Sequence, residues 1–214
     1  MDKYQVAIVI PAFNEESTIS NVVHSVKEYG VVIVINDAST DNTKKVAKEA
    51  GAVVVSHNKN KGYDGALNTG FVKAEELNFD AIITFDADGQ HNPMALPQYI
   101  KFLKEGIALV LGVRPNTQRF SEFIFKIYTK KKYSWKDPLC GFKGYSMKLY
   151  RDRKSFDLHD SIGTELACFG IRNNYNYREI DISISQRIDK PRFSSIFVAN
   201  IKIFRALFLM IINK

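Results

Sequence analysis

Cysteine is scarce in this chain of 214 residues, and the scarcity argues against two classes of protein. The two cysteines, Cys140 and Cys168, lie far apart and form no Cys-x-x-Cys pair. The sequence therefore indicates neither a disulfide framework nor a cysteine-rich zinc site. The first residues lead directly into an apolar run, without the features of a secretory signal peptide. We therefore expect a protein of the reducing cytoplasm.

Two common phosphate-binding fingerprints are also missing. No Gly-x-Gly-x-x-Gly follows the first apolar run, and no Gly-x-x-x-x-Gly-Lys-Ser/Thr occurs anywhere in the chain. Their absence argues against a dinucleotide-dependent dehydrogenase and against a P-loop nucleotidase. The sequence shows no nucleic-acid-binding motif either, so we do not expect nucleic acid among the partners.

Charge is unevenly distributed along the chain. Residues 1–105 carry 10 Lys and Arg against 14 Asp and Glu, a balance of −4. Residues 106–214 carry 20 against 9, a balance of +11, which accounts for the net charge of +7. The basic half should face an anionic partner such as phosphate groups or a membrane surface.

Short apolar runs alternate with helical patterns over the first half of the chain. The runs at 6–10, 31–35, 53–56, 81–85 and 107–113 are typical of buried strands, and the segments between them predict helices. A cap at Asn14 or Ser17 predicts the start of the first helix. This alternation predicts an α/β domain over residues 1–194, with a mostly parallel central sheet and helices on both faces.

Four acidic residues follow the predicted strands: Glu15, Asp37, Asp86 and Asp88. Ligands of parallel sheets bind outside the carboxyl ends of the strands, where these residues fall. Alternation along a strand would place Asp86 and Asp88 on one face. Such a pair suits a divalent cation that keeps several waters and shares substrate phosphates. An isolated Asp-x-Asp is more often a solvated turn, but the neighbouring acidic residues favour the metal site.

The basic half has a different rhythm. It predicts helices at 120–132 and 160–171, a strand at 177–185, and then a basic loop with Arg187, Lys190 and Arg192. Residues 195–214 predict an amphipathic helix with Lys202 and Arg205 on one strip. Spanning a bilayer would bury both charges at a cost of roughly 5–7 kcal/mol. The helix therefore either lies in a membrane interface or packs on the core of the domain.

Four segments resemble the successive motifs of the family 2 glycosyltransferases. They are IPAFNE at 10–15, NDASTD at 36–41, NKG at 60–62 with ALNTG at 66–70, and DADGQH at 86–91. A fifth segment, Asp137 with CGFKGY at 140–145, is similar to the polyprenyl-phosphate sugar synthases of that family. The resemblance extends to about residue 192 and implies the GT-A nucleotide-diphospho-sugar transferase fold.

The resemblance also implies an activity and roles by position. We expect inverting transfer of a sugar from a UDP- or GDP-linked donor to a polyprenyl phosphate at the inner face of the cytoplasmic membrane. A divalent metal, Mg²⁺ or Mn²⁺, would be bound by Asp86, Asp88 and Gln90. The nucleotide-sugar would be bound by Pro11, Ala12, Phe13, Glu15, Asp37, Lys61, Asp86, Ala87, Asp88, Arg114 and Arg187.

Two alternative functions stay open at this point. Transfer to a sugar hydroxyl of a lipid-linked or surface glycan would need a general base, for which Glu165 and Asp137 are the candidates. A lipid phosphate is already ionised and needs none. The other alternative is a non-catalytic membrane-bound module that binds nucleotide-sugars. The intact carboxylates Asp37, Asp86 and Asp88 argue against such a module.

Overall fold

The computed structural model describes residues 4–116, 119–185 and 196–212. Within them a single sheet contains seven strands in the order β3-β2-β1-β4-β6-β5-β7. The strands are β1 (Val6–Ala12), β2 (Val31–Asn36), β3 (Val53–Ser56), β4 (Ala81–Thr84), β5 (Leu109–Val113), β6 (Lys143–Ser146) and β7 (Tyr177–Asp181). The helices are α1 (Ile19–Val26), α2 (Thr43–Glu49), α3 (Gly62–Glu76), α4 (Leu96–Lys104), α5 (Phe120–Tyr133), α6 (Met147–Arg153), α7 (Glu165–Arg172) and α8 (Ile196–Ile212).

Most of the strand pairs are parallel, and the predicted α/β architecture is confirmed. Strands β1 to β4 pair in parallel, as do β5 and β7. Strand β6 is inserted antiparallel between β4 and β5. Its insertion brings the segment before Lys143 to the edge of the sheet where β4 ends.

Two hydrophobic layers cover the two faces of the sheet, as predicted. Alternate residues of β1 point to opposite faces, so Val9 packs in one layer and Ile8 in the other. Helix α3 covers the first face together with α6, α7 and α8, and α1, α2 and α4 cover the second. At Gly70 of α3, a Cβ would lie 2.3 Å from Val9 Cγ1, so glycine permits this close helix–sheet approach.

Several predicted element boundaries are wrong. Strand β1 continues through Pro11, which is tolerated because β4 pairs only with residues 6–9 of β1. Helix α1 begins at Ile19 with Thr18 as its N-cap, because Asn14 adopts a left-handed φ of 54° and uses its side chain elsewhere. Helix α7 begins at Glu165, five residues later than predicted, after a loop with positive φ values. Helix α6 was missed.

The predicted C-terminal segment forms the helix α8, and the membrane-interface alternative for its environment stays a prediction. One face of α8 packs into the core, and its other face is exposed. Among the described residues, α8 and the other helices are too short or too polar to cross a membrane.

Candidate active site

The loops after β1 and β2 hold each other through reciprocal hydrogen bonds. Asn14 accepts from the Thr40 N–H at 2.8 Å through Oδ1, while its own N–H donates to Ser39 Oγ at 3.0 Å. The Glu16 N–H donates to Asp41 Oδ2 at 3.1 Å. The predicted nucleotide residues Pro11 and Ala12 are buried at the end of β1, Phe13 is half-buried beyond them, and Glu15 is buried and accepts from Thr18. These hydrogen bonds therefore join the two loops into one wall of the candidate site.

Asp37 is buried beneath the N-terminus of α3. Its two carboxylate oxygens accept from the N–H groups of Lys61 and Gly62, both at 2.8 Å. His57 Nδ1 lies 2.7 Å from Asp37 Oδ1. A carboxylate is stabilised there by the unpaired N–H groups and by the positive end of the helix dipole. These contacts make Asp37 an anchor of the loop before α3, and its contact with a nucleoside stays a prediction.

The Lys61 side chain is exposed beside that anchor. Together with Ser56, His57, Asn58 and Lys59 it lines an open depression of about 550 Å³. The depression lies where β3 ends and α3 begins, at the same edge of the sheet as the acidic residues. Its place is compatible with the predicted role of Lys61 in nucleotide binding.

Asp86 and Asp88 follow β4 in a turn and do not continue the strand, which ends at Thr84. Strand alternation therefore does not set their orientation, contrary to the sequence-based prediction. Asp86 Oδ2 lies 2.9 Å from His91 Nε2. A Cβ at Gly141 would lie 2.6 Å from the same carboxylate oxygen, so only glycine lets this loop approach Asp86 so closely.

The pKa of Asp86 is lowered. Burial raises the pKa of this carboxyl, but the adjacent His91 and the positive charges of Arg114 and Lys143 outweigh burial. The His91 ring is itself buried between the rings of Phe85 and Phe142, with centroids 5.5 and 5.3 Å away. The buried imidazole of His91 therefore stabilises Asp86 as an anion. Ala87, the next residue, is buried.

Asp88 and Gln90 are half-exposed at the tip of the same turn. The Gln90 N–H donates to Asp88 Oδ1 at 3.0 Å, and Gly89 between them has a φ of 74°. In the described part of the chain, no group of three or more His, Cys, Asp or Glu could hold a metal by itself. The donor set instead suits Mg²⁺ or Mn²⁺ bound by one or two carboxylates, waters and substrate phosphates.

Arg114 lies after β5 in a network of buried charges. Its Nε and Nη2 donate to the two oxygens of Asp137 at 2.8 and 2.9 Å. Lys126 Nζ is 3.4 Å from Asp137 Oδ2, and the buried Glu122 lies 3.4 Å from Arg114 Nη2. Burial raises the pKa of Asp137, but the hydrogen bonds and charge of Arg114, with Lys126, lower it overall. Asp137 thereby fixes the Arg114 side chain.

Lys143 is a buried cation that the sequence analysis did not assign. Its Nζ donates to the Gly163 carbonyl at 3.0 Å and lies 5.7 Å from the centroid of the Trp135 ring. Burial lowers the pKa of Lys143 to about 8. Lys143 lies within GFKG, in the segment similar to the polyprenyl-phosphate sugar synthases. That position could have identified it as a candidate functional residue.

Glu165 begins α7 and is engaged in a second ion-pair network. It accepts from the Arg153 guanidinium, from the Leu158 N–H at 3.1 Å, and lies 2.7 Å from His159 Nδ1. This network lines a cavity of about 430 Å³ between α7 and α8. The structure therefore places the two candidate bases, Glu165 and Asp137, in separate ion-pair networks.

The loop before α7 was not predicted from the sequence. Asp64 of α3 accepts from the N–H groups of Ile162 and Gly163 at 2.9 and 2.6 Å, and both donors have positive φ. Burial and the nearby Asp157 raise the pKa of Asp64 to about 7. The loop connects Lys143, through Gly163, to the start of α7. Hydrophobic periodicity carries no signal for such a loop, which explains why it was missed.

Arg187, with Lys190 and Arg192, lies outside the described residues. The described chain leading to it passes the Asp-x-Asp turn: Ile184 forms a backbone bridge with His91, and the Ser185 N–H donates to the Gln90 carbonyl at 2.9 Å. Ser185, the last described residue of this stretch, therefore lies beside the candidate metal ligands.

The model of Glycosyl transferase family 2 matches residues 7–165, and the chain belongs to that family. It is a glycosyltransferase with the GT-A fold, as the resemblance implied. The chain is 30% identical, over its full length and 94% of the relative, to an uncharacterised protein of Methanocaldococcus jannaschii. It is 36% identical to the UDP-N-acetylglucosamine–dolichyl-phosphate N-acetylglucosaminyltransferase of Methanococcus voltae, over 50% of this chain and 51% of that enzyme.

A solved structure confirms the fold. Glucosyl-3-phosphoglycerate synthase of Mycobacterium tuberculosis, crystallised with Mn²⁺, UDP and glucosyl-3-phosphoglycerate, superposes with a TM-score of 0.77. The superposition covers 97% of this chain and 80% of the synthase, at 20% sequence identity. At that identity the likeness shows the fold alone.

Proposed function

We propose that this glycosyltransferase moves a sugar, with inversion, from a nucleoside-diphosphate sugar to a polyprenyl phosphate at the inner face of the cytoplasmic membrane. Two relatives carry names that support a lipid phosphate as acceptor. One is the Methanococcus voltae enzyme, which is named for dolichyl phosphate. The other is the undecaprenyl-phosphate 4-deoxy-4-formamido-L-arabinose transferase of Proteus mirabilis, 31% identical over 53% of this chain and 38% of that enzyme.

The observation that carries the proposal is that both candidate bases are already bound to cations. Asp137 is fully buried and accepts a bidentate pair of hydrogen bonds from Arg114. Glu165 is held by Arg153 and His159. The lowered pKa makes the Asp137 carboxylate a poor proton acceptor, and the Glu165 oxygens are already engaged by Arg153 and His159. A sugar hydroxyl would need such an acceptor, whereas a phosphate monoester is already ionised near neutral pH.

Positive charge near Asp86 supports the same choice of acceptor. Arg114 and Lys143 both act on the Asp86 carboxyl electrostatically. The resemblance adds Arg187 as a further positive charge for phosphate binding. A donor diphosphate with its metal needs one or two of these charges. The remaining charge would complement an acceptor phosphate.

Donor binding follows from the walls of the site. We assign the nucleoside to the wall formed by Pro11, Ala12 and Phe13 and to the edge near Asp37 and Lys61. The diphosphate would lie by Asp88, whose carboxylate and the Gln90 side chain would hold a divalent ion, with Asp86 beside them. When bound, the ion neutralises charge that develops on the leaving diphosphate. His91 and Gly141 fix the orientation of Asp86.

The chemistry assigned to this chain is mainly positioning and electrostatic stabilisation. The acceptor phosphate oxygen attacks the anomeric carbon from the face opposite the nucleoside diphosphate, the bond to that diphosphate breaks, and the configuration inverts. Arg114, fixed by Asp137, would offer its remaining donors to a phosphate. Side chains held by buried ion pairs need no rearrangement at the moment of reaction.

A donor and acceptor screen tests the proposal. UDP- and GDP-sugars would be incubated with the full chain and Mg²⁺ or Mn²⁺, with polyprenyl phosphate, with dephosphorylated polyprenol, or with neutral glycans. We expect lipid-linked sugar only with the phosphate. Efficient transfer to a neutral hydroxyl, with polyprenyl phosphate inert, would overturn the proposal and return Glu165 or Asp137 to the role of base.

A further inference from the structure

Helices α5 and α8 form a pair that is fixed at both ends. Near their N-termini, Ser121 Oγ donates to Asn200 Oδ1 at 2.5 Å. Near their C-termini, the Arg172 guanidinium donates both to Tyr133 Oη of α5 and to the Met210 carbonyl of α8. The N-terminal parts of the two helices contact each other, and their C-terminal parts are linked through Arg172. The two helices are therefore parallel.

The inner face of this pair belongs to the core. Buried residues recur every three or four positions along α8, which places them on one face of the helix. They are Ala199, Ile203, Ala206, Leu207 and Met210. Phe125 of α5 is buried in the same cluster as most of them. Removing residues 195–214 would therefore expose the core, so a truncation cannot test what the outer face binds.

The outer face is apolar and exposed. On α5 the exposed side chains recur with helical spacing and form one stripe, and on α8 they cover about a third of the circumference. We call these side chains the α5–α8 outer face: Phe120, Phe123, Ile127, Phe197, Val198, Ile201, Phe204, Phe208, Ile211 and Ile212. Phe120 and Phe197 are 69% and 72% exposed, which is costly in water for side chains of this size.

Helix geometry turns the two stripes to the same side of the pair. Ser121 and Asn200 point towards each other, which fixes the rotation of both helices. At about 100° per residue in parallel helices, the stripe around Phe123 and the stripe around Phe208 both face away from the core. Two adjacent stripes then form one continuous apolar patch, and a patch of this extent marks an interaction surface.

We propose that the α5–α8 outer face docks on an anionic lipid bilayer, with both helices lying in the interface. The proposal deepens the proposed function, and it rests on that function only in expecting the acceptor to be lipid-borne. It makes α5 an equal part of the membrane contact, beyond the C-terminal helix that the sequence indicated.

Charge selects a lipid surface over a second copy of the chain. Lys130 and Lys131 are exposed at the end of the α5 stripe, and Arg205 lies within the exposed side of α8. Two copies meeting face to face would bring these like charges together. An anionic bilayer instead offers hydrocarbon to the aromatic side chains and phosphates to the cations, as amphipathic interfacial helices require.

Vesicle binding by matched variants tests the proposal. Full-length protein and the variants Phe123→Glu and Phe208→Glu would be sedimented with vesicles containing phosphatidylglycerol, and with vesicles of phosphatidylcholine alone. Val72→Glu is the control, since Val72 is 47% exposed on α3, away from the pair. We expect each outer-face variant to lower partitioning on the order of tenfold, and the control to leave it unchanged. Thermal unfolding of each variant checks that it is folded.

Each other outcome would overturn the proposal. Loss with Phe208→Glu but full binding by Phe123→Glu would assign the contact to α8 alone. Binding unaffected by both would remove the outer face from the membrane. A dimer that these substitutions dissociate, without vesicle binding, would make the face a contact between copies. The vesicles contain no polyprenyl phosphate, so docking is measured separately from transfer, and either proposal can fail while the other holds.

Discussion

The two halves of this domain hold their acidic side chains in different ways. In the half before residue 106, Asp37 and Asp64 accept hydrogen bonds from backbone N–H groups, at the start of α3 and in the loop before α7. In the other half, Asp137 and Glu165 are bound by guanidinium groups. The first half is acidic overall and the second strongly basic. At these four positions the first half uses main-chain donors and the second uses paired charges.

This difference has energetic consequences. Hydrogen bonds from backbone N–H groups to a carboxylate depend on the conformation of the loop. Many side chains together stabilise that conformation. A buried ion pair depends on both partners, because removing one leaves an uncompensated charge in a medium that solvates it poorly. We therefore expect the basic half to respond more strongly to neutralising single carboxylates.

The largest expected effect is on stability, from Asp137→Asn. The variant leaves Arg114 and Lys126 without their buried partner, and we expect unfolding free energy to fall by about 3–5 kcal/mol. Denaturant unfolding measures it. The control is Glu105→Gln, which breaks the exposed ion pair with Lys101. It should change the unfolding free energy very little. Equal effects of the two would show that burial does not set the strength of these pairs.

The next effect is on activity, from Asp88→Asn. Replacing one carboxylate oxygen at the proposed metal site should lower the transfer rate by about 10²–10³ while the protein stays folded. Steady-state assays with a titration of Mn²⁺ measure it, and excess metal should restore part of the rate. A variant with full activity, or a wild-type enzyme indifferent to chelators, would contradict the assignment.

A smaller and more selective effect is expected from Arg187→Lys. Lysine cannot reproduce the planar fork with which arginine binds phosphate oxygens. Transfer to polyprenyl phosphate should therefore weaken by about 2–3 kcal/mol, and hydrolysis of the donor by water should weaken less. Parallel rate measurements of the two reactions separate these roles. Equal losses would assign Arg187 to the donor.

The last effect is a pH dependence of stability that comes from Asp64, which is small for any single pH unit although it extends over several. Its folded-state pKa of about 7 is above the unfolded value, so the folded protein binds the additional proton. This contribution is fully present below about pH 4 and is lost as pH rises towards 7, with a slope of at most about 1.4 kcal/mol per pH unit. Unfolding of wild type and Asp64→Asn at several pH values should show that the slope disappears in the variant. An unchanged slope would assign it to other groups.

Local patterns predicted much of the fold, while the donor-binding roles of the candidate residues stay predictions. Strand β3 has the predicted bounds, and α5 ends one residue later than predicted, because short apolar runs and helical periodicity report burial directly. The start of α1 was wrong because Asn14 looks like a cap but bonds to Thr40 in the next loop. Asn14 and Thr40 are 26 positions apart in the sequence, so a local sequence pattern cannot predict this hydrogen bond.

The sequence by itself determined the α/β alternation, the Asp-x-Asp turn after β4 and the family of the chain, since these depend on neighbours along the chain. Only the tertiary structure revealed that β6 runs antiparallel, that Lys143 is buried over Trp135, and that Arg114 is clamped by Asp137. It also revealed that the exposed faces of α5 and α8 point the same way. These features depend on contacts between segments far apart in the sequence, where packing and the cost of burying charge decide the partners.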